Sequence, residues 1–426
     1  MASTATNGLS RRLGLGDAVL IGMGSMLGAG VFTVFAPAAS AAGAGLLVGL
    51  LVAAVVAFCN ASASAQLAAE YPTSGGTYVY GRERLGHWPG FLAGWSFVVG
   101  KTASCAAMAL AFAAYAAPPG WEKPVAVLAV LALATLNYFG VTRTAALTRV
   151  IVLIVLAVLC LVVLSAAGGE GHPLPTAVLG DVGEHGVYGI LQSAGLLFFA
   201  FAGYARIATM GEEVTNPQRT IPRAILIALG AVLVVYALIA LAILTVLPPD
   251  RLAESAAPLV DVVAAGPLGW ATPAVRVGAA AAALGALLAL VAGVGRTALA
   301  MARNNDLPVW LAAVHPKYRV PHHAEIAVAV VVSVLVLVVD LRGAIGFSSF
   351  GVLLYYLIAN AAAVTQTRDR RRYPRVLQAL GALGCLVLVA TLPPASIAVG
   401  AGVLAVGVVY RLLRMRGARD SRRARA

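Results

Sequence analysis

Apolar runs long enough to cross a bilayer recur along the whole sequence, and few folds can accommodate that pattern. A membrane-crossing helix needs about 20 predominantly apolar residues. Twelve such runs stand near 15–38, 43–68, 89–116, 124–140, 145–166, 187–209, 222–247, 272–301, 323–340, 344–366, 376–392 and 394–414, and only Pro393 and Pro394 separate the last two. Charged residues make up 11% of the chain and the mean hydropathy is +0.90, whereas a soluble domain carries about 25% charge. The expected fold class is an all-α membrane protein with twelve transmembrane helices.

The net charge of +13 invites a nucleic-acid partner, but its distribution argues against one. With the N-terminus inside and twelve spans, 24 of the 30 Lys and Arg fall in or beside cytoplasmic segments, while Lys123, Arg251, Arg276 and Arg342 fall outside. This is the positive-inside bias of a membrane protein. The outer loop near 167–186 carries Glu170, Asp181 and Glu184 and no Lys or Arg. Arg11 and Arg12 precede the first run, and no cleavage-site pattern of a removed signal follows them. The expected organisation is a cytoplasmic tail over 1–14, one transmembrane domain over 15–414 and a basic cytoplasmic tail over 415–426, the last open to contact with anionic lipid. Cys59, Cys105, Cys160 and Cys385 all fall in expected spans without a CxxC pair. They read as small apolar side chains, with no disulfide framework, metal site or cofactor.

Two of the runs are broken. Gly24-Ser25-Met26-Leu27-Gly28-Ala29-Gly30-Val31-Phe32 places three glycines in seven positions, and Phe198-Phe199-Ala200-Phe201-Ala202-Gly203-Tyr204 lies far downstream. Glycine costs a helix interior about 1 kcal/mol relative to alanine. Unwound backbone in hydrocarbon needs a substitute for its lost hydrogen bonds, and a bound polar substrate is one such substitute. Interrupted helices at matching places in two halves of a chain point to a transporter's binding site. The first glycine set alone fits close helix packing equally well. If the two breaks are equivalent, five spans fill each unit, one over 15–167 and an inverted one over 187–366. Helices 11 and 12, over 376–414, stand outside the repeat.

These residues, with Glu70-Tyr71-Pro72-Thr73-Ser74-Gly75-Gly76-Thr77-Tyr78-Val79-Tyr80, Asn137-Gly140-Val141, Glu212-Glu213-Val214-Thr215-Asn216-Pro217, Thr220-Ile221-Pro222-Arg223-Ala224 and Met301-Ala302-Arg303-Asn304-Asn305-Asp306-Leu307-Pro308, carry a resemblance. The chain resembles the amino acid–polyamine–organocation (APC) superfamily of permeases along nearly its whole length. The resemblance implies a 5+5 inverted repeat with discontinuous helices 1 and 6 and a substrate site built from Ser25, Met26, Leu27, Gly28, Ala29, Gly30, Phe199, Ala200, Phe201, Ala202 and Gly203. The substrate carboxylate would sit on backbone N–H groups at the first break, where a restarting helix offers unpaired donors and the positive end of its dipole. The α-ammonium would face carbonyls freed around Phe199 to Ala202. Phe199 falls where the family's aromatic gate covers the substrate, and the Tyr-Pro-Thr-Ser-Gly-Gly turn falls at the inner gate.

Lys101 is the sharpest single residue, near the middle of span three. A lysine at the bilayer centre costs about 2.5–3.5 kcal/mol on insertion scales, so it should face the bundle interior. Burial disfavours its charged form, which makes it a candidate proton carrier. A structural lysine bonded to broken-helix carbonyls is the other reading. Proton-coupled relatives carry a lysine in span five, where this chain has Val155, and cationic-amino-acid relatives carry an acid near the position of Gly100. Both are missing. Ala205 replaces an aspartate after the second break, and Arg206 follows it, placed to pair with Glu212 or Glu213. No Asp or Glu lies deep in a span, and His322-His323 has no further metal-ligand partners in sequence.

The expected function is secondary active transport of neutral amino acids across the bacterial inner membrane by alternating access, coupled to protons. An amino acid exchanger or a polyamine permease is the alternative. An ion channel would need rings of repeated polar residues, and an intramembrane enzyme would need a buried catalytic set. The sequence offers neither.

Overall fold

The computed structural model describes residues 13–72, 75–139, 145–169, 174–211 and 213–423. Among these residues every regular element is a helix, and the β geometry is an isolated bridge between Leu13 and Val214. The helices are α1 (Leu15–Met26), α2 (Gly30–Thr33), α3 (Phe35–Ala42), α4 (Leu46–Glu70), α5 (Thr77–Leu85), α6 (His87–Ala116), α7 (Glu122–Tyr138), α8 (Ala145–Ala167), α9 (Leu174–Phe201), α10 (Ala205–Ala208), α11 (Pro217–Val246), α12 (Pro249–Glu254), α13 (Pro258–Ala265), α14 (Thr272–Arg303), α15 (His322–Val338), α16 (Leu341–Val364), α17 (Arg375–Thr391) and α18 (Pro394–Arg423). Helices are the expected outcome, because in hydrocarbon the backbone must satisfy its own polar groups.

Each of the twelve apolar runs overlies a helix. Among the described residues, nine helical stretches are long and apolar enough to cross a membrane. The runs at α7, α15 and α17 stop at 17 residues. Leu128, Leu153, Val234, Val277 and Val338 are exposed on the outside of the bundle. Such a belt suits lipid, where an exposed leucine loses nothing. Cys59, Cys105 and Cys385 are buried as expected, but Cys160 faces outward from α8. A small apolar side chain is as well placed against lipid as against protein, so its burial was not fixed by its span.

Small residues set the interior. The most extensive helix contacts are those of α6 with α14 and α16. Gly100 and Gly351 make the second of these possible, since a Cβ on Gly351 would stand 2.8 Å from the Gly100 Cα. In membranes such small-residue contacts let helix backbones approach closely. Asn360 of α16 donates to the Asn60 Oδ1 of α4 at 2.6 Å, a hydrogen bond buried between two spans. The interruptions fall where glycine permits. Residues 27–29 separate α1 from α2, and a single 3-10 turn, Ala202–Tyr204, separates α9 from α10. The second break is therefore a tightened 3-10 turn at 202–204, and the carbonyls expected to be freed around Phe199 to Ala202 lie at its start.

Candidate functional site

The two breaks lie against each other. A Cβ on Gly203 would stand 2.3 Å from the Ser25 carbonyl oxygen and 2.7 Å from the Met26 nitrogen, and a Cβ on Gly30 would stand 3.0 Å from the Ala200 Cα. Only glycine lets the chains cross this closely. Tyr236, from the middle of α11, secures the crossing. Its hydroxyl lies 2.6 Å from Met26 O and 3.0 Å from Ala200 O, so one buried group serves a freed carbonyl from each broken helix. The Phe201 ring packs edge-on against Tyr236 at 5.0 Å. Sequence reasoning missed Tyr236. Its signal was a hydroxyl in the run Val234-Val235-Tyr236-Ala237, since a buried tyrosine normally finds a hydrogen-bond partner.

A cavity of about 440 Å³ opens beside the crossing. Ser25, Phe199, Ala202, Gly203 and Lys101 line it, together with Met108 and Ala286. Met26, Leu27, Gly28, Ala29, Gly30, Ala200 and Phe201 are not in its wall and are buried in the surrounding core. Gly28 lies one layer behind the wall, where a Cβ would meet Ala286 Cβ at 2.7 Å and the Met108 sulfur at 3.9 Å. No hydrogen bond joins the N–H groups of Gly28, Ala29, Gly30 or Val31 to another described backbone carbonyl. The first break thus keeps a row of unpaired donors.

Lys101 is 6% exposed, and its Nζ donates to Ala202 O at 3.2 Å. The Tyr356 hydroxyl reaches the same oxygen at 3.4 Å. The lysine therefore occupies one of the carbonyls on which a substrate ammonium was expected. The cavity runs from here past Tyr78, Arg206 and Thr209 to the exposed Arg296 and Arg303. Arg206 pairs with Glu213 at 3.9 Å, and Glu212 lies outside the described residues. So do Thr73 and Ser74 of the Tyr-Pro-Thr-Ser-Gly-Gly turn, as well as Gly140 and Val141. At the end of that turn, Gly76 adopts φ +54°, and the next N–H, from Thr77, donates to the Tyr355 hydroxyl at 3.0 Å.

A second polar cluster lies behind Tyr78 of the cavity wall. Asp306, 6% exposed, accepts from the Tyr78 hydroxyl at 2.7 Å, from Arg82 at 2.7 Å and from Arg411 at 2.6 Å. Arg411 also lies over the Phe91 and Trp88 rings, 4.5 and 4.9 Å from their centroids. One carboxylate thus joins α5, the segment after α14 and α18, while the rings at the start of α6 cover Arg411. Burial, and then the Asp306 carboxylate, push the Tyr78 hydroxyl well above the usual phenol range, so it stays a donor.

A family model described as amino acid permease matches residues 13–413. The chain belongs to the amino acid permease family. An uncharacterized transporter of Mycobacterium tuberculosis is 60% identical over 400 residues, covering 94% of this chain and 90% of that protein. The branched-chain amino acid permease BcaP of Bacillus subtilis is 25% identical over 423 residues, covering 92% of this chain and 90% of its own length. The chloroplastic cationic amino acid transporter 7 of Arabidopsis thaliana is 28% identical over 371 residues, covering 81% of this chain and 64% of that protein. This permease is accordingly a multi-pass membrane transporter and not an enzyme. Its helical bundle and its APC membership agree with the reading of the sequence.

Proposed function

We propose that this permease carries neutral amino acids across the bacterial plasma membrane by alternating access, with protons and not sodium as the coupling ion. The reading takes both termini as cytoplasmic, twelve spans and a five-plus-five inverted repeat. The positive-inside bias and the paired breaks support that arrangement. In the bound state the substrate carboxylate reaches the unpaired donors around Gly28 to Val31, which stand behind the cavity wall in this structure, and Phe199 closes over the bound molecule. The apolar side chains near the crossing favour a small or aliphatic substrate.

The observation that carries the reading is Lys101, a buried ammonium bonded to a carbonyl of the second break inside the cavity. When charged, it holds Ala202 O. When neutral, it releases that oxygen to another donor. Among the described residues no carboxylate pairs with Lys101, so its proton is not locked in an ion pair, which suits a proton carrier. The test is accumulation of leucine in proteoliposomes under an imposed pH gradient, with and without sodium. Lys101→Ala is expected to lose acid-driven accumulation while retaining exchange. Lys101→Arg stays charged throughout and is expected to slow turnover. Sodium-dependent accumulation, or undiminished acid-driven accumulation by Lys101→Ala, overturns the proton reading.

A further inference from the structure

The wall of the cavity is strongly unbalanced in charge. Among the described residues it carries four cationic side chains, Lys101, Arg206, Arg296 and Arg303, and one carboxylate, Glu213. Glu213 is already paired with Arg206, and Lys101 is already on Ala202 O. Arg296 and Arg303 are exposed and have no hydrogen bond or ion pair within the described structure. Glu325 attracts Arg296 but is absent from the wall. It is buried behind Gly295, where its Cγ would stand 2.9 Å from an added Cβ. Basic residues at a helix end follow from the positive-inside rule alone. Arg296, however, stands two turns before the end of α14, on the side that faces the cavity. Clefts lined by one sign of charge and walled by apolar material focus that field on whatever enters.

We propose that this vestibule sorts amino acids by charge, admitting neutral and acidic ones and turning back lysine, arginine and polyamines, with Arg296 and Arg303 as the specificity-determining cations. The inference rests on the amino acid reading above and names the substrate class of that same site. A zwitterion with an uncharged side chain feels little net force from the two arginines. An added side-chain ammonium is repelled by both, and no free carboxylate in the described wall offsets the repulsion. An added carboxylate is attracted. On this inference the relative named as a cationic amino acid transporter differs from this permease in the cargo it carries.

The test uses the full-length protein in inside-out membrane vesicles, so that the cavity end bearing Arg296 and Arg303, cytoplasmic on this reading, faces labelled leucine as the tracer and unlabelled leucine, glutamate, lysine and putrescine as competitors. Wild type is expected to be inhibited by leucine and glutamate, and at least about tenfold more weakly by lysine and putrescine. In Arg296→Glu/Arg303→Glu the ratio of lysine to glutamate inhibition should shift toward lysine by about tenfold or more, for charges on the order of 10 Å away in watery surroundings. Raised salt should shrink the shift. Arg296→Lys/Arg303→Lys should sort as wild type does, because the charge is kept. Leucine uptake with equally strong lysine inhibition in wild type, or a ratio unmoved by the double reversal, overturns the charge filter and leaves the amino acid reading standing. Saturable uptake of none of the four probes overturns that reading, and the filter with it.

Discussion

The cavity wall and the cluster behind it treat buried charge in opposite ways. In the wall, among the described residues, Lys101 has one backbone carbonyl as its partner and no carboxylate. Behind the wall Asp306 has three donors from two helices, and one of its arginines is covered by two aromatic rings. Buried charges are tolerated when they are paired and hydrogen-bonded. By that measure Asp306 is a fixed joint, while Lys101 is a charge held by a single backbone oxygen. A transporter needs both. The helices flanking the substrate must rearrange, and the elements around them must stay registered. The neighbourhood of Lys101 is correspondingly built from hydroxyls on freed carbonyls, Tyr356 beside Lys101 on Ala202 O and Tyr236 between Met26 O and Ala200 O, and breaking any of these strands no second charge.

Four substitutions and one control press on this contrast, the four in descending order of expected effect. Gly203→Val forces side-chain atoms into the Ser25 and Met26 backbone, which has no flexible end to move aside. It should abolish transport and lower the yield of folded protein in size-exclusion profiles. Gly230→Val, where nothing lies within 4 Å of an added Cβ, should behave as wild type. Asp306→Ala leaves Arg82, Arg411 and Tyr78 without their acceptor and should cost about 3–5 kcal/mol, read as a lowered unfolding midpoint in detergent. Tyr236→Phe keeps the ring against Phe201 but removes the hydroxyl shared by Met26 O and Ala200 O. It should cost about 1–3 kcal/mol and slow transport without preventing insertion. Lys101→Met removes a buried charge whose acceptor keeps the Tyr356 hydroxyl. Its stability should stay within about 1 kcal/mol of wild type. A loss at Lys101 as large as that at Asp306 would erase the distinction between a singly held charge and a fixed joint.

Much of the bundle was legible in the sequence because hydrocarbon imposes a simple rule. A run of about 20 apolar residues has few alternatives to a helix, so the twelve runs located the helices without knowledge of their packing. Glycines marked both interruptions, since a missing side chain is visible in sequence whatever surrounds it. Lys101 was expected inside for the same kind of reason, because an ammonium at mid-span has nowhere else to go, and the structure buries it. Arg206 was expected to pair beyond the second break, and it reaches Glu213.

The partners were another matter. Ala202 O became the acceptor for Lys101 only when α6 was brought beside the second break, in a bundle where Gly100 and Gly351 let α6 and α16 approach. Tyr236 serves both breaks from a helix whose sequence shows only that a hydroxyl is buried. Asp306 and Arg411 are 105 positions apart, and nothing in either segment names the other. The sequence by itself determined that this chain is a helical membrane transporter with two interrupted spans, because hydropathy and backbone permissiveness are local properties. The tertiary structure alone decided which freed carbonyl meets which donor, which residues face the cavity and which charges are left over. Those outcomes depend on distances between helices, and many helix arrangements satisfy the same hydropathy.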